Sequence, residues 1–517
     1  MRIRTVLCLL LASVLLVLCG CVGPAEVEYD PEAAAEMRNS RHLYLTVWSW
    51  QVASSQDARA YAQKAKECGF TAIDFAVLWS DFEPLKGHFH WKYLDETVKA
   101  FTDEGLKVSL QPLLWTKDLS WADELVLQKT AQGKIYEMED RGSYLSFSDA
   151  ATLSIVENTL QNFALHAVST YGKDLTRWGV RLSCFGEFDY SVNEDLDYSE
   201  ASIRGFYDYL REVYGSRQKV SDLRGLGASS EEEWNALPAE DVVDACYGDW
   251  RRYRQQCLSD VLDMMVNVYR SADPTVPILF SLGTYGNGMN TAYSGVVDLW
   301  SALEKHDVDI VGLSLCDGAQ ESMMLSLITC LTTKKISVEV DGAWALEEGR
   351  DVSSQVRLCG RYGVFSLSTA NFTVEQLESH KQTLSGYPQS LATTQPLGDR
   401  DPTQGILILS NEIAAAHPPR SFDALYGDAW NLLSENGSRR VRFVTEAQIA
   451  SGEISLEGVT TLYAGNINGS VEVSPAFAKA LADTQTTVRG DLSFVFLDGT
   501  SPEGELADAL AQRVSAE

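Results

Sequence analysis

Two short segments carry carboxylates where apolar residues would be expected. One reads Phe185-Gly186-Glu187-Phe188-Asp189, the other Val338-Glu339-Val340-Asp341-Gly342, and each closes a run rich in β-branched and aromatic residues. In a strand, side chains alternate in direction, so each glutamate would share a face with the aspartate two residues on. A charge inside such a run is costly to bury and calls for a reason. Two carboxyl groups flanking one bond supply it. One protonates a leaving oxygen while the other attacks carbon or activates water, which is what cleavage of a glycosidic bond requires. Taken singly, each glutamate reads as well as half of an ion pair inside the packing; the two together, at two strand ends, favour the chemistry.

The surrounding pattern says how they could meet. Eight apolar runs (42–50, 71–80, 107–115, 178–190, 277–286, 308–318, 335–344 and 363–372) alternate with amphipathic stretches, two of which close on a glycine suited to a helix end. Strands alternating with helices predict a parallel sheet, and eight of them predict an α/β fold of the (β/α)8 TIM-barrel type over residues 41–385. In such a barrel the reacting groups come from the C-terminal ends of the strands. A helical insertion at about 191–276 follows the fourth strand and should wall the cleft on that face. Residues 386–517 show further strand–helix alternation with about four strands. They predict a small open α/β domain, flavodoxin- or amidotransferase-like, with no glycine-rich phosphate loop and hence a packing or oligomerisation role.

Aromatic residues fall at the same strand ends. Trp48, Trp50, Trp79, Trp115, Tyr285 and Trp344 offer flat apolar faces to sugar C–H surfaces, although about half should instead cap the core. Polar candidates beside them are Gln111, Asp189, Asn287, Asp317, Asp341 and Asn371. The substrate expected of this set is an oligo- or polysaccharide.

Forty-two basic against seventy-two acidic residues give a net charge of −30, which repels nucleic acid and disfavours it as a partner. Seven cysteines follow Cys21 without C-x-x-C spacing, and the seven histidines do not cluster, so neither a metal nor another cofactor is expected. At the N-terminus, Arg2 and Arg4 precede an apolar run from Val6 to Leu18 that is short for a membrane span. It ends in Leu18-Cys19-Gly20-Cys21, which resembles the lipobox of bacterial lipoproteins. The resemblance implies a signal peptide over 1–20, lipidation of Cys21, and a polar tether over 21–40. The folded part would then be anchored to a membrane, facing the cell exterior or the periplasm.

Further motifs carry a family resemblance. Trp79-Ser80-Asp81-Phe82-Glu83-Pro84, Gly87 to Trp91 and Leu94-Asp95 are similar to a signature of the family 42 glycoside hydrolases, the β-galactosidases. Phe206 to Leu210, Tyr214-Gly215 and Asp249 to Tyr253 resemble that family's helical insertion, and the C-terminal region resembles its trimerisation domain. The resemblance spans about 41–495 and implies a retaining glycosidase with Glu187 as acid/base and Glu339 as nucleophile. It also implies a homo-oligomer through the C-terminal domain. The chain departs from the pattern at Gly186, where the family has an asparagine that contacts the sugar 2-hydroxyl. That departure leaves the sugar open, and it is the best argument for a second reading: a non-catalytic, carbohydrate-binding surface lipoprotein on a degenerate barrel.

Overall fold

A computed structural model describes residues 31–138, 141–181, 195–282, 297–315, 321–343, 352–415, 420–435 and 437–515. Eight parallel strands close into a barrel: β1 (Leu43–Trp48), β2 (Ala72–Leu78), β3 (Lys107–Leu113), β4 (Leu175–Val180), β5 (Ile278–Ser281), β6 (Ile310–Leu315), β7 (Lys335–Asp341) and β8 (Ser366–Ala370). Neighbours in sequence are neighbours in the barrel, and β8 closes on β1 with Leu43 opposite Leu367. Most strand positions are buried on both faces, one against the barrel interior and one against the helices, which is why the runs read as continuously apolar. Helices α1 (Ser55–Glu67) and α2 (Lys92–Asp103) lead to Gly69 and Gly105, which take left-handed φ values of 87° and 84° and turn the chain into the next strand.

The barrel interior is more polar than its strands suggest. Arg177 of β4 is wholly buried and donates to Asp74 of β2 at 2.7 Å. Nε and Nη1 reach the hydroxyls of Ser109, Ser337 and Ser366 at 3.2–3.3 Å, and the nitrogen that meets Asp74 also reaches Ser368 at 3.1 Å. The Tyr44 ring lies 3.7 Å from the guanidinium carbon. Small serines on β3, β7 and β8 leave the volume that one arginine fills. Burial alone would push the Asp74 carboxyl up, but Arg177, with Ser109 and Arg181, outweighs it and holds the group below the usual carboxylate range.

Two boundaries differ from the sequence reading. The fourth strand, Leu175–Val180 among the described residues, begins at Leu175 rather than 178, because its ladder with β3 starts three residues earlier, at Leu175 opposite Val108. The insertion is also shorter. The helices Glu200–Tyr214, Arg217–Arg224, Glu231–Asn235 and Ala239–Ala245 belong to it, but the 26-residue helix Tyr247–Ala272 is the barrel's own fourth helix. Its apolar side runs its whole length, and Tyr269 near its end stacks on Trp178 of β4 at 4.8 Å.

The C-terminal domain is an open, all-parallel sheet of five strands: β9 (Gln404–Ile408), β10 (Phe443–Thr445), β11 (Thr461–Val473), β12 (Thr487–Phe496) and β13 (Val514–Ser515), in the order β10-β9-β11-β12-β13. The fifth strand, two residues long, is too short to leave a periodic signal. In sheets of this order the crevice for ligands lies beyond the carboxyl ends of the strands, at the β9–β11 switch point. Here the barrel reaches into that edge. Arg252 of Tyr247–Ala272 donates to Asn411 Oδ1 at 2.8 Å, just past β9, and the Asn411 amide reaches the Glu472 carbonyl of β11 at 3.0 Å. Arg251 donates to the Ile413 carbonyl. Arg224 of the insertion bridges Asp249 at 3.2 Å and Glu472 at 3.3 Å.

Candidate functional site

The site gathers at the C-terminal mouth of the barrel, around Glu339. Thr46 of β1 donates to Glu339 Oε2 at 2.9 Å, and Arg181, one residue past β4, donates to the same oxygen at 3.0 Å. The β7–β8 ladder places Glu339 opposite Ser368, directly above the layer that Arg177 fills. Alternation explains the stacking on β4: Arg177, Gly179 and Arg181 point to one face, the first into the polar layer and the last to the mouth. Among the described residues both hydrogen bonds fall on Oε2, which leaves Oε1 to meet a substrate. The carboxylate keeps 16% of its side-chain surface accessible, while Arg181 keeps 4%.

Gln111 braces this arrangement from below. Its Oε1 accepts from Arg181 Nε. Gly179 makes the brace possible, because a Cβ there would sit 2.3 Å from Gln111 Cγ. Gln111 is itself wholly buried, so it is no sugar contact. The sequence reading that placed it against substrate is corrected: it supports Arg181.

The aromatic candidates divide in the same way. Trp79 is wholly buried, its indole N–H bonded to Glu83 at 2.8 Å and its ring edge-on to Trp121. It cannot present a face to a sugar, and that expectation is also corrected. Glu83 further accepts from Thr159 at 2.6 Å and from the Gly87 amide at 2.7 Å, so the glutamate of the Glu83-Pro84 motif organises the loop after β2. Trp48, Trp50 and Trp115 come together at the mouth with mutually stacked rings, 4.8–6.4 Å between centroids. The Arg181 guanidinium lies 5.3 Å from the Trp48 ring. Trp48 Nε1 donates to Asn371 Oδ1 at 2.9 Å, and Asn371 Nδ2 donates to Asp341 at 2.6 Å. Asn371 takes a left-handed φ of 67°, a conformation asparagine tolerates, and so turns its amide between β1 and β7.

Glu187, Asp189, Tyr285, Asn287, Asp317, Trp344 and Cys21 lie outside the described residues. Among the described residues no three His, Cys, Asp or Glu side chains assemble as a metal site would require. The residues that sequence reasoning missed are Thr46 and Arg181. Arg181 does carry a signal, since a cation inside an apolar run is as costly to bury as a carboxylate. Thr46 carries no such mark, since threonine is ordinary in a strand.

The family model for β-galactosidase, glycoside hydrolase family 42, matches residues 48–308. No curated protein sequence matches the chain significantly. Among solved structures, the β-galactosidase of the Antarctic haloarchaeon Halorubrum lacusprofundi is similar at 14% identity and a TM-score of 0.66, over 91% of this chain and 76% of that one. The β-galactosidase of the psychrophilic Marinomonas ef1 aligns at 14% identity and a TM-score of 0.61, over 90% and 79%. The catalytic domain of β-amylase from Paenibacillus polymyxa aligns at 14% identity and 0.53, over 68% and 99%. At these identities the likeness is one of fold.

Proposed function

This chain belongs to the family 42 glycoside hydrolases and is a glycosidase, and we propose that it cleaves a β-linked glycan or galactoside by double displacement. In this reading Glu339 is the nucleophile. Its free Oε1 forms a bond to the anomeric carbon as the bond from that carbon to the leaving oxygen breaks. Glu187 supplies the proton to that oxygen. Water then attacks the glycosyl–enzyme ester, Glu187 takes its proton, and Glu339 leaves as carboxylate. The observation that carries the reading is the grip of Thr46 and Arg181 on one oxygen of Glu339, which orients the other toward the mouth. Such preorganised donors need no rearrangement as charge develops.

Glu339→Gln and Glu187→Gln should each lower turnover of aryl β-galactosides by roughly 10²–10⁴-fold or more. Near wild-type rates in either variant, measured by release of the aryl alcohol, would remove that residue from the mechanism. If instead oligosaccharide binds without any turnover over long incubation, the chain is a binding protein on a degenerate barrel.

The reading extends to location. Cys21 is proposed as the lipidated anchor, which holds the barrel on the outer side of a membrane. In cells labelled with palmitate, the wild-type chain should carry label and Cys21→Ser should not; label on both disproves the anchor.

A further inference from the structure

We propose that Trp50 is the floor of a second sugar subsite, so that the substrate is a neutral, β-linked oligosaccharide rather than a single sugar on a small aglycone. This rests on the glycosidase reading of the Glu339 site and adds to it the length and charge of what is bound. Trp50 is 54% exposed and, among the described residues, is the only aromatic side chain in the set of large apolar residues left open to solvent. Single exposed apolar residues need no explanation. Trp50 is different, because it is held.

Its ring stacks on Trp48 at 4.8 Å with an interplanar angle of 16°, and on Trp115 at 5.6 Å. Trp48 and Trp115 are themselves almost fully buried. Trp50 occupies a single 3-10 turn, Ser49–Gln51, which is pinned from four directions. Gln51 accepts from the Trp48 amide at 3.0 Å and donates to the Phe372 carbonyl at 3.3 Å. The Tyr93 hydroxyl lies 3.0 and 2.8 Å from the Ser49 and Val52 carbonyls. The Leu78 amide donates to the Ser49 hydroxyl at 3.2 Å. A side chain that merely had nowhere else to go would not be fixed by β2, α2, the end of β8 and two indoles at once.

Position supplies the ligand class. Trp48 lies beneath Trp50 and against Arg181, which holds Glu339, so the exposed ring is one aromatic layer removed from the carboxylate. A flat, rigid, apolar surface there suits the C–H face of a pyranose next to the ring whose bond is cut, and its binding loses little conformational entropy. The net charge of −30 works against the approach of a polyanionic chain and leaves a neutral one unaffected.

The test is binding, read by tryptophan fluorescence and calorimetry on the full chain carrying Glu339→Gln to prevent turnover. Cellotetraose, xylotetraose, mannotetraose and β-1,4-galactotetraose are the neutral probes; a tetragalacturonate is the anionic one, and free galactose the short one. At least one neutral tetramer should bind. Trp50→Ala should weaken it by about tenfold, as loss of a single aromatic stacking contact implies. Trp50→Phe should keep most of the affinity, and galactose binding should be unchanged in both. The proposal is overturned if no neutral tetramer binds, if tetragalacturonate binds as tightly, or if Trp50→Ala leaves the tetramer unaffected or weakens galactose equally. Tetramer binding through Trp50 in a wild-type chain without hydrolytic activity would sink the proposed reaction and leave the subsite standing.

Discussion

At the scale of single residues, the site depends on how Arg181 is aimed. The Arg181 guanidinium donates through Nε to Gln111, which sets its plane, and through Nη2 to Glu339. Gln111→Ala should therefore act through Arg181. We expect kcat to fall by about tenfold to a hundredfold, the range for loss of an oriented charge-assisted hydrogen bond, with KM nearly unchanged. Gln111→Glu, which keeps the acceptor, should recover part of kcat. If Gln111→Ala raises KM and spares kcat, the residue does touch substrate, and the positioning role is wrong.

At the scale of elements, the strands carry two functions in two layers. The lower layer is the Arg177–Asp74 pair with its serine partners, and the upper is Thr46, Arg181 and Glu339. Removing one partner of a buried pair strands the other's charge, so Asp74→Ala should cost about 3–5 kcal/mol in urea unfolding. A loss below ~1 kcal/mol would mean that water or a neighbour screens Arg177. The strands, their parallel order and Glu339 at a strand end were all readable from the sequence, because apolar periodicity and an out-of-place carboxylate are local signals. The serine-lined layer was not. Ser109, Ser337, Ser366 and Ser368 mean nothing until three strands bring them round one arginine. The same holds for Gly179, whose missing side chain matters only once Gln111 lies across it. The sequence places the helix Tyr247–Ala272 in the insertion because Asp249 to Tyr253 resemble the family's helical insertion. The charges of Asp249, Arg251 and Arg252 serve the joint with the C-terminal domain, not a solvent face.

At the scale of the whole molecule, that joint has a pH dependence of its own. Glu446, just past β10, is buried, and burial, reinforced by Asp298, pushes its carboxyl up to about 8. The Asn411 and Ser410 amides and Arg252 pull the other way without cancelling this. A carboxylic acid whose folded pKa exceeds its unfolded one binds its proton more tightly when folded. Its contribution to stability is therefore fully present below the unfolded pKa and is lost as pH rises towards about 8. Glu446→Gln keeps the neutral shape at every pH. It should match wild type in urea unfolding near pH 4 and exceed it at pH 9 by a few kcal/mol, on the order of the linkage for a shift of this size. Equal differences at both ends would show that Glu446 is not protonated in the native state.

The reach of Arg251 and Arg252 across the open edge of the second sheet also bears on ancestry. In doubly wound domains the crevice beyond the carboxyl ends of the strands is where ligands bind. Here it is occupied by a neighbour from the same chain. A recombination event that exchanged the tail for another would leave those arginines facing a surface not shaped for them. The barrel and its C-terminal companion are thus expected to descend as one heritable unit, diversifying together at the mouth around Glu339 while the seam between them stays closed to innovation.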